Sequence, residues 1–181
     1  MDWPQIIIAG GTVALVVVTW LLVRGQLSIA KEQVQVQLYL EIRKEFDADR
    51  LVSARKRLAQ QLLKNPSSDD LQEDVMNFFE DMGMLFRRGY LDREMIWDTF
   101  GYYARMWWSA CKDYILDERA GDETFFTDFE LLVEQICVDE AKKVNKARAN
   151  LEPSQSDIKA FLEGEAQLYV DPPAVPDVHF R

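Results

Sequence analysis

The sequence is poor in histidine and cysteine: His179 is the single histidine of 181 residues, and Cys111 and Cys137 are the two cysteines. Zinc sites and histidine-dependent nucleophiles need such residues in clusters, so we expect no catalytic residue, no metal site and no cofactor. Two isolated cysteines are typical of a reducing compartment. Basic residues are outnumbered, 21 against 31 acidic ones, and the net charge of −10 argues against a nucleic-acid partner.

An uncharged apolar stretch runs from Trp3 to Val23. As a helix it would be about 30 Å long, which is the thickness of the hydrocarbon core of a bilayer. Trp3 and Trp20 lie near its two ends, where indole rings prefer the lipid–water interface, and Arg24 follows it directly. A cleaved signal peptide is the competing interpretation, but the basic segment that precedes a signal sequence is missing. The stretch predicts a single transmembrane anchor over residues 1–25.

The charges beside this stretch predict its orientation. Arg24, Lys31 and further basic residues follow it, whereas Asp2 precedes it, so we expect the N-terminus outside and the bulk of the chain in the cytoplasm, at the inner cell membrane. Gly10 and Ala14 form a pair of small residues through which the span could contact another membrane protein or a second copy. The alternative is that glycine is simply common in membrane helices.

The rest of the chain predicts an all-α fold. Apolar residues recur at helical spacing over 26–46, 49–64, 71–88, 92–120, about 122–150 and 158–168. Gly89 is the expected glycine after the segment 71–88, Asp92 is the expected N-cap of the next helix, and residues 153–156 are read as a linker. The predicted organisation is a membrane-proximal helical stalk over 26–64, a helical bundle core over 65–150, and a short helix with a proline-rich tail over 151–181.

Acidic residues and arginines are the remaining candidates for binding a ligand or for catalysis. Glu80 and Asp81 precede Arg87 and Arg88 by one to two turns of the same predicted helix. A pair of acids with an arginine could bind magnesium or a phosphate. The alternative interpretation is that they form salt bridges between helices of the bundle.

Aromatic residues are concentrated in the helix predicted over 92–120. Trp97, Tyr102 and Trp108 are candidates for a partner interface, because tryptophan and tyrosine at the edge of a core are enriched at interfaces. The alternative is that aromatic residues at helical spacing belong to the core. Gly101 weakens its own helix, so we expect it to contact a neighbouring helix at short range, with Phe100 and Tyr103 buried beside it.

A segment within these helices resembles part of a known protein family. The features are an aromatic–acidic turn at Phe78–Glu80, an Arg-Gly turn at Arg88–Gly89, the run Phe100–Tyr103, and a tryptophan one turn later. In these features the segment Phe78–Ile115 resembles a bacterial family described as domain of unknown function number 4760. The resemblance implies a membrane helix followed by a mostly helical domain, and it brings no activity.

These observations together favour a non-enzymatic, membrane-anchored helical interaction protein, an accessory or scaffold subunit of a membrane complex. Its expected partners are the lipid bilayer and other membrane proteins or a second copy, contacted through the apolar stretch and the aromatic surface. The alternative is a ligand- or phosphate-responsive sensor or enzyme that uses Glu80, Asp81, Arg87 and Arg88.

Overall fold

The structure, a computed structural model, describes the backbone of residues 3–65, 71–144 and 152–169. Side chains are described for 18–27, 29–65, 71–143 and 152–169. Six α-helices occupy the described residues, and they confirm the predicted all-α fold. The helices are α1 (Trp3–Phe46), α2 (Asp49–Lys64), α3 (Asp74–Arg87), α4 (Arg93–Glu118), α5 (Thr127–Val144) and α6 (Gln155–Ala166).

The predicted membrane-spanning helix is not supported. Among the residues that the structure describes, no helix combines the length and the apolar character that crossing a membrane requires. The side chains of Trp3, Gly10 and Ala14 lie outside the described residues. The fold class is corrected to an all-α chain, and the inner-membrane location stays a prediction.

The chain divides into two compact units, residues 1–40 and residues 41–181. The first unit consists of the larger part of α1. The second contains the end of α1 and the helices α2 to α6. The helix α2, which lies in the stalk predicted over 26–64, is therefore part of the bundle: Leu51, Leu58 and Leu62 on one of its faces are buried.

Aromatic side chains from four helices form the core of the second unit. Phe46 at the end of α1 packs edge-on against Phe100 of α4, with 5.4 Å between the ring centroids. Phe79 of α3 stacks on Phe129 of α5 at 5.0 Å, and Trp108 of α4 meets Phe129 edge-on at 5.2 Å. Offset and edge-on pairs of this kind are the favoured aromatic geometries, so the core is specified by shape as well as by apolar area.

Asp92 and Gly89 confirm the two helix ends that the sequence predicts at these residues. Asp92 accepts hydrogen bonds from the backbone N–H groups of Glu94 and Met95, each at 3.0 Å, and so caps α4. At α6 the sequence places residues 153–156 in a linker, whereas the structure begins the helix at Gln155, because Ser154 and Asp157 form a reciprocal capping box there. Gly89 follows α3 with φ +74°, a conformation that glycine adopts without strain.

Two glycines mark places where helices approach closely. Gly101 is buried in α4, and a Cβ atom there would lie 3.3 Å from Cγ2 of Ile136 on α5, which confirms the predicted contact. Phe100 beside it is buried, whereas Tyr103 is half-buried. At Gly83 of α3 the approach is closer, because a Cβ atom would overlap the backbone carbonyl of Asp128 at the start of α5. Only a residue without a side chain fits there.

We expect Gly83→Ala to destabilise the second unit by about 1–3 kcal/mol, since the overlap is with backbone and α3 and α5 must separate. Gly164→Ala in α6 is the matched control, because nothing lies within 4 Å of the added Cβ. There alanine should stabilise the helix by up to about 1 kcal/mol. Urea denaturation followed by circular dichroism measures both changes, and equal effects would contradict the account of Gly83.

A buried ion pair fastens α6 to α2. Arg55 donates two hydrogen bonds to the Glu165 carboxylate, from Nε at 2.7 Å and from Nη2 at 2.8 Å. Both side chains are more than nine-tenths buried. The guanidinium group also lies over the ring of Phe46, 4.1 Å from its centroid, and donates to the Phe46 carbonyl at 3.3 Å. The pair therefore joins α6 to α2 and to the end of α1.

We expect Arg55→Met to lower the free energy of opening of α6 by about 3–5 kcal/mol, because it leaves the Glu165 carboxylate buried without its partner. Replacing both residues by Met should recover most of that loss. Arg50→Met is the control: its exposed pair with Glu45 should contribute at most about 1 kcal/mol. Native-state hydrogen exchange in α6 measures the effect, and an equal loss in the two single variants would contradict it.

Candidate functional site

The four predicted polar residues do not come together in one site. Glu80 and Arg87 lie on the side of α3 that faces α5, whereas Asp81 and Arg88 have exposed side chains. Arg87 pairs with Asp128 of α5 through two hydrogen bonds, Nε to Oδ1 at 2.6 Å and Nη2 to Oδ2 at 2.9 Å. These contacts correspond to the alternative interpretation of the sequence, an ion pair between helices.

Glu80 caps the neighbouring helix rather than its own. Its carboxylate accepts hydrogen bonds from the backbone N–H groups of Asp128 at 3.2 Å and Phe129 at 2.7 Å, in the first turn of α5. A helix leaves its first four N–H groups without partners inside the helix and carries partial positive charge there, so a carboxylate is the favoured cap. The close approach at Gly83, one turn further along α3, brings the two helices near enough for this contact.

Burial raises the pKa of the Glu80 carboxyl, and the two backbone hydrogen bonds oppose that shift in part. The group is therefore protonated more readily in the folded protein than in the unfolded chain. The stability gained from this tighter proton binding is complete below the ordinary glutamate pKa of about 4.3 and is lost as the pH rises through the raised pKa. The two hydrogen bonds from the first turn of α5 are a separate contribution, which the ionised carboxylate makes at neutral pH.

The loop before α5 is held by an arginine that the sequence analysis did not single out. Arg119 donates to the carbonyl oxygens of Phe125 at 2.8 Å and Phe126 at 3.0 Å, and to the Glu130 carboxylate at 2.6 Å. Phe126 has φ +51°, which is uncommon for a residue with a side chain. These hydrogen bonds hold the loop in that conformation and place the first turn of α5 against Glu80.

The three aromatic candidates have different surroundings. Trp108 is buried, so its side chain belongs to the core rather than to an exposed surface. Trp97 is half-buried, and Nζ of Lys143 lies 3.6 Å from its ring centroid, a cation–π contact between α4 and α5. Tyr102 is 54% exposed and touches Phe161 of α6 edge-on, with 5.9 Å between the centroids. Tyr102 is therefore the most exposed of the three.

A polar cleft of about 340 Å³ lies where α4, α5 and the start of α6 meet. Side chains of both charges line it, Arg105 and Lys112 together with Asp113, Glu130 and Glu134, and Cys137 is on its wall. Arg105 is paired with Glu140 at 2.9 Å, and Glu130 with Arg119. Within the described residues no group of three histidine, cysteine or acidic side chains could hold a metal ion.

The other cysteine, Cys111, offers no reactive thiolate. Cys111 is fully buried in α4, and burial raises the pKa of its thiol to about 12. A nucleophilic or metal-binding cysteine needs a lowered pKa, which comes from nearby positive charge and exposure to water. Cys111 is a small apolar residue of the core.

Exposed apolar side chains are concentrated on the described part of α1. Ten large apolar residues between positions 18 and 40 are at least 41% exposed. Trp20, Leu27 and Val34 are seven residues apart and form one stripe; Leu22, Ile29 and Val36 have the same spacing and form a second. Seven residues are close to two turns, so each stripe follows the helix axis, and the two stripes lie on opposite sides of the helix. Arg24, predicted to flank a membrane span, lies over the Trp20 ring at 5.0 Å from its centroid.

The comparison with protein families identifies the chain. A family model described as Domain of unknown function (DUF4760) matches residues 6–136. The chain belongs to this family. The resemblance inferred from Phe78–Ile115 is thereby confirmed, whereas bacterial origin and membrane anchoring are not part of the match. Neither the curated proteins nor the solved structures contain a match to the chain.

In this DUF4760 protein we expect Glu80→Ala to destabilise the second unit by about 1–3 kcal/mol, because two N–H groups in the first turn of α5 lose their acceptor. Asp81→Ala is the matched control, an exposed acid at the next position, and should change stability by less than about 0.5 kcal/mol. Urea denaturation at neutral pH measures both. A large loss in Asp81→Ala with none in Glu80→Ala would contradict the capping role.

Proposed function

We propose that this DUF4760 protein is a non-enzymatic interaction protein, a helical accessory or scaffold subunit of a larger assembly. The observation that carries the proposal is the pair of apolar stripes on α1. Large exposed apolar patches on a soluble surface mark sites of association, since water is a poor solvent for them. Two stripes on opposite sides of one helix fit a helix with neighbours on both sides.

The seven-residue spacing indicates the kind of neighbour. An apolar line that recurs every seven positions follows the helix axis, so a second helix packed alongside can cover it over its length. From residue 26 onward, the exposed side chains of Gln26, Lys31 and Gln33 lie between the stripes, so polar residues separate the two apolar lines there. We therefore propose that α1 is covered by helices of the assembly.

The first stripe gives a direct test. Leu27→Glu combined with Val34→Glu places two charges on it, and Gln26→Glu combined with Gln33→Glu is a control at adjacent exposed positions with the same spacing. We expect the wild-type chain and the control, expressed at native level, to sediment as a larger complex, and the stripe variant to sediment as a smaller species. Both variants should keep the helical circular dichroism of the wild type.

Two outcomes would contradict this function. One is a wild-type chain that is a monodisperse monomer at native level. The other is a stripe variant whose complex has the same mass and composition as that of the control, which would mean that the apolar stripes are not covered by a partner.

A further inference from the structure

The helix α6 occupies a groove formed by α2 and α4. We define the α2–α4 groove by Arg55, Tyr103 and Trp107 on its floor and by Lys56 and Gln60 on its rim. Phe161 of α6 lies on this floor, with its ring centroid 5.1 Å from that of Trp107 and 6.4 Å from that of Tyr103. Ile158, Leu162 and Glu165 complete the buried face of α6. The buried face follows the spacing i, i+3, i+4 and i+7, which is how amphipathic helices bind grooves in other proteins.

Residues outside α6 position the Arg55 guanidinium group on the floor of the groove. Phe46 holds the Arg55 guanidinium group through its ring and its carbonyl oxygen, and Tyr103 lies 5.4 Å from the same group. None of these contacts comes from α6. Because a buried guanidinium group without a carboxylate is strongly unfavourable, any helix that fills the groove must bring an acidic residue to this point.

The hydrogen bonds between α6 and the groove, among the described residues, are few and lie at the C-terminal end of the helix. Besides the Arg55–Glu165 pair, Lys56 donates to the Leu168 carbonyl at 3.0 Å, and Gln60 donates to the Ala166 carbonyl at 3.3 Å. The start of α6 is capped from within its own segment, since Ser154 and Asp157 hydrogen-bond each other. The helix is thus a self-contained unit that is attached to α2 through one ion pair and two main-chain acceptors.

Two further observations indicate that α6 is one possible occupant of the groove. The floor residues Arg55, Tyr103 and Trp107 lie within the range that matches the family, whereas α6 begins after that range ends at residue 136. The indole N–H of Trp107 is fully buried and has no hydrogen-bond acceptor among the described residues. Leaving a buried donor without an acceptor is costly, so the packing of α6 on Trp107 leaves this floor residue incompletely satisfied.

We propose that the α2–α4 groove is a docking site for an amphipathic helix of a partner protein, and that α6 blocks it within the same chain. The partner helix presents three apolar side chains at i, i+3 and i+4 and a carboxylate at i+7, which pairs with Arg55. This site is separate from α1, so the proposal and the proposed role of the α1 stripes can fail independently.

A cleavable link between α5 and α6 tests the proposal on the full chain. A protease site is placed in residues 146–150 of the full chain, which is then cut, and a dye-labelled peptide of residues 152–169 is added. We expect the peptide to replace the cut α6 and to bind saturably by fluorescence anisotropy, while the circular dichroism of the remainder stays helical and its thermal unfolding stays cooperative.

Peptide variants identify the contact with Arg55. Glu165→Gln in the peptide should weaken binding at least tenfold, whereas Lys159→Gln, at an exposed position of α6, should bind like the parent peptide. Three outcomes would overturn the proposal: unfolding of the remainder when α6 leaves, retention of the cut α6 against a hundredfold excess of peptide, or equal binding of the two variants. A dimer that exchanges α6 between two copies, seen by sedimentation, would overturn the choice of a different partner.

Discussion

The close contact between α3 and α5 at Gly83 is the constraint on which the second unit depends most. With no side chain at Gly83, the backbone of Asp128 can approach α3 closely. That approach brings the first turn of α5 to the Glu80 carboxylate and lets Arg87 pair with Asp128. It also places Phe129 flat against Phe79. A Cβ atom at Gly83 would act on the cap, the ion pair and the aromatic stack together.

The ion pair between Arg55 and Glu165 has a different role, because it attaches one helix to a body that is already assembled. Arg55 is held by Phe46 and Tyr103 whatever the groove contains. Buried ion pairs contribute little net stability compared with apolar residues of the same size, but a missing partner is strongly penalised. Arg55 therefore favours one kind of helix in the groove, a helix with a carboxylate one turn beyond its apolar residues.

The two proposals concern different surfaces that share one physical feature. The stripes of α1 are apolar and exposed, and the groove is apolar and covered by a short helix of the same chain. Both are surfaces whose apolar area is favourable to remove from water. The difference lies in charge: the groove contains a buried cation that selects its occupant, whereas the stripes are flanked by amide and charged side chains.

The amino-acid sequence by itself determined the local structure. Apolar spacing predicted the helices to within a few residues, and Asp92 and Gly89 marked two of their ends. The segment Phe78–Ile115 indicated the family. All of these signals involve neighbours along the chain. Gly101 could be interpreted in the same way, since a glycine within a helix is unfavourable unless something packs against it.

Only the tertiary structure decided which side chains meet. Glu80 and Arg87 looked like part of a ligand site together with Asp81 and Arg88. In the structure, Arg87 and Glu80 instead bind Asp128 of α5, which lies 41 and 48 residues further along the chain. Trp108 looked like an interface residue and is buried. Arg55 and Glu165 are 110 residues apart and carry no shared local pattern. Pairings at that separation depend on how the helices pack, and the apolar periodicity of a single helix does not determine that packing.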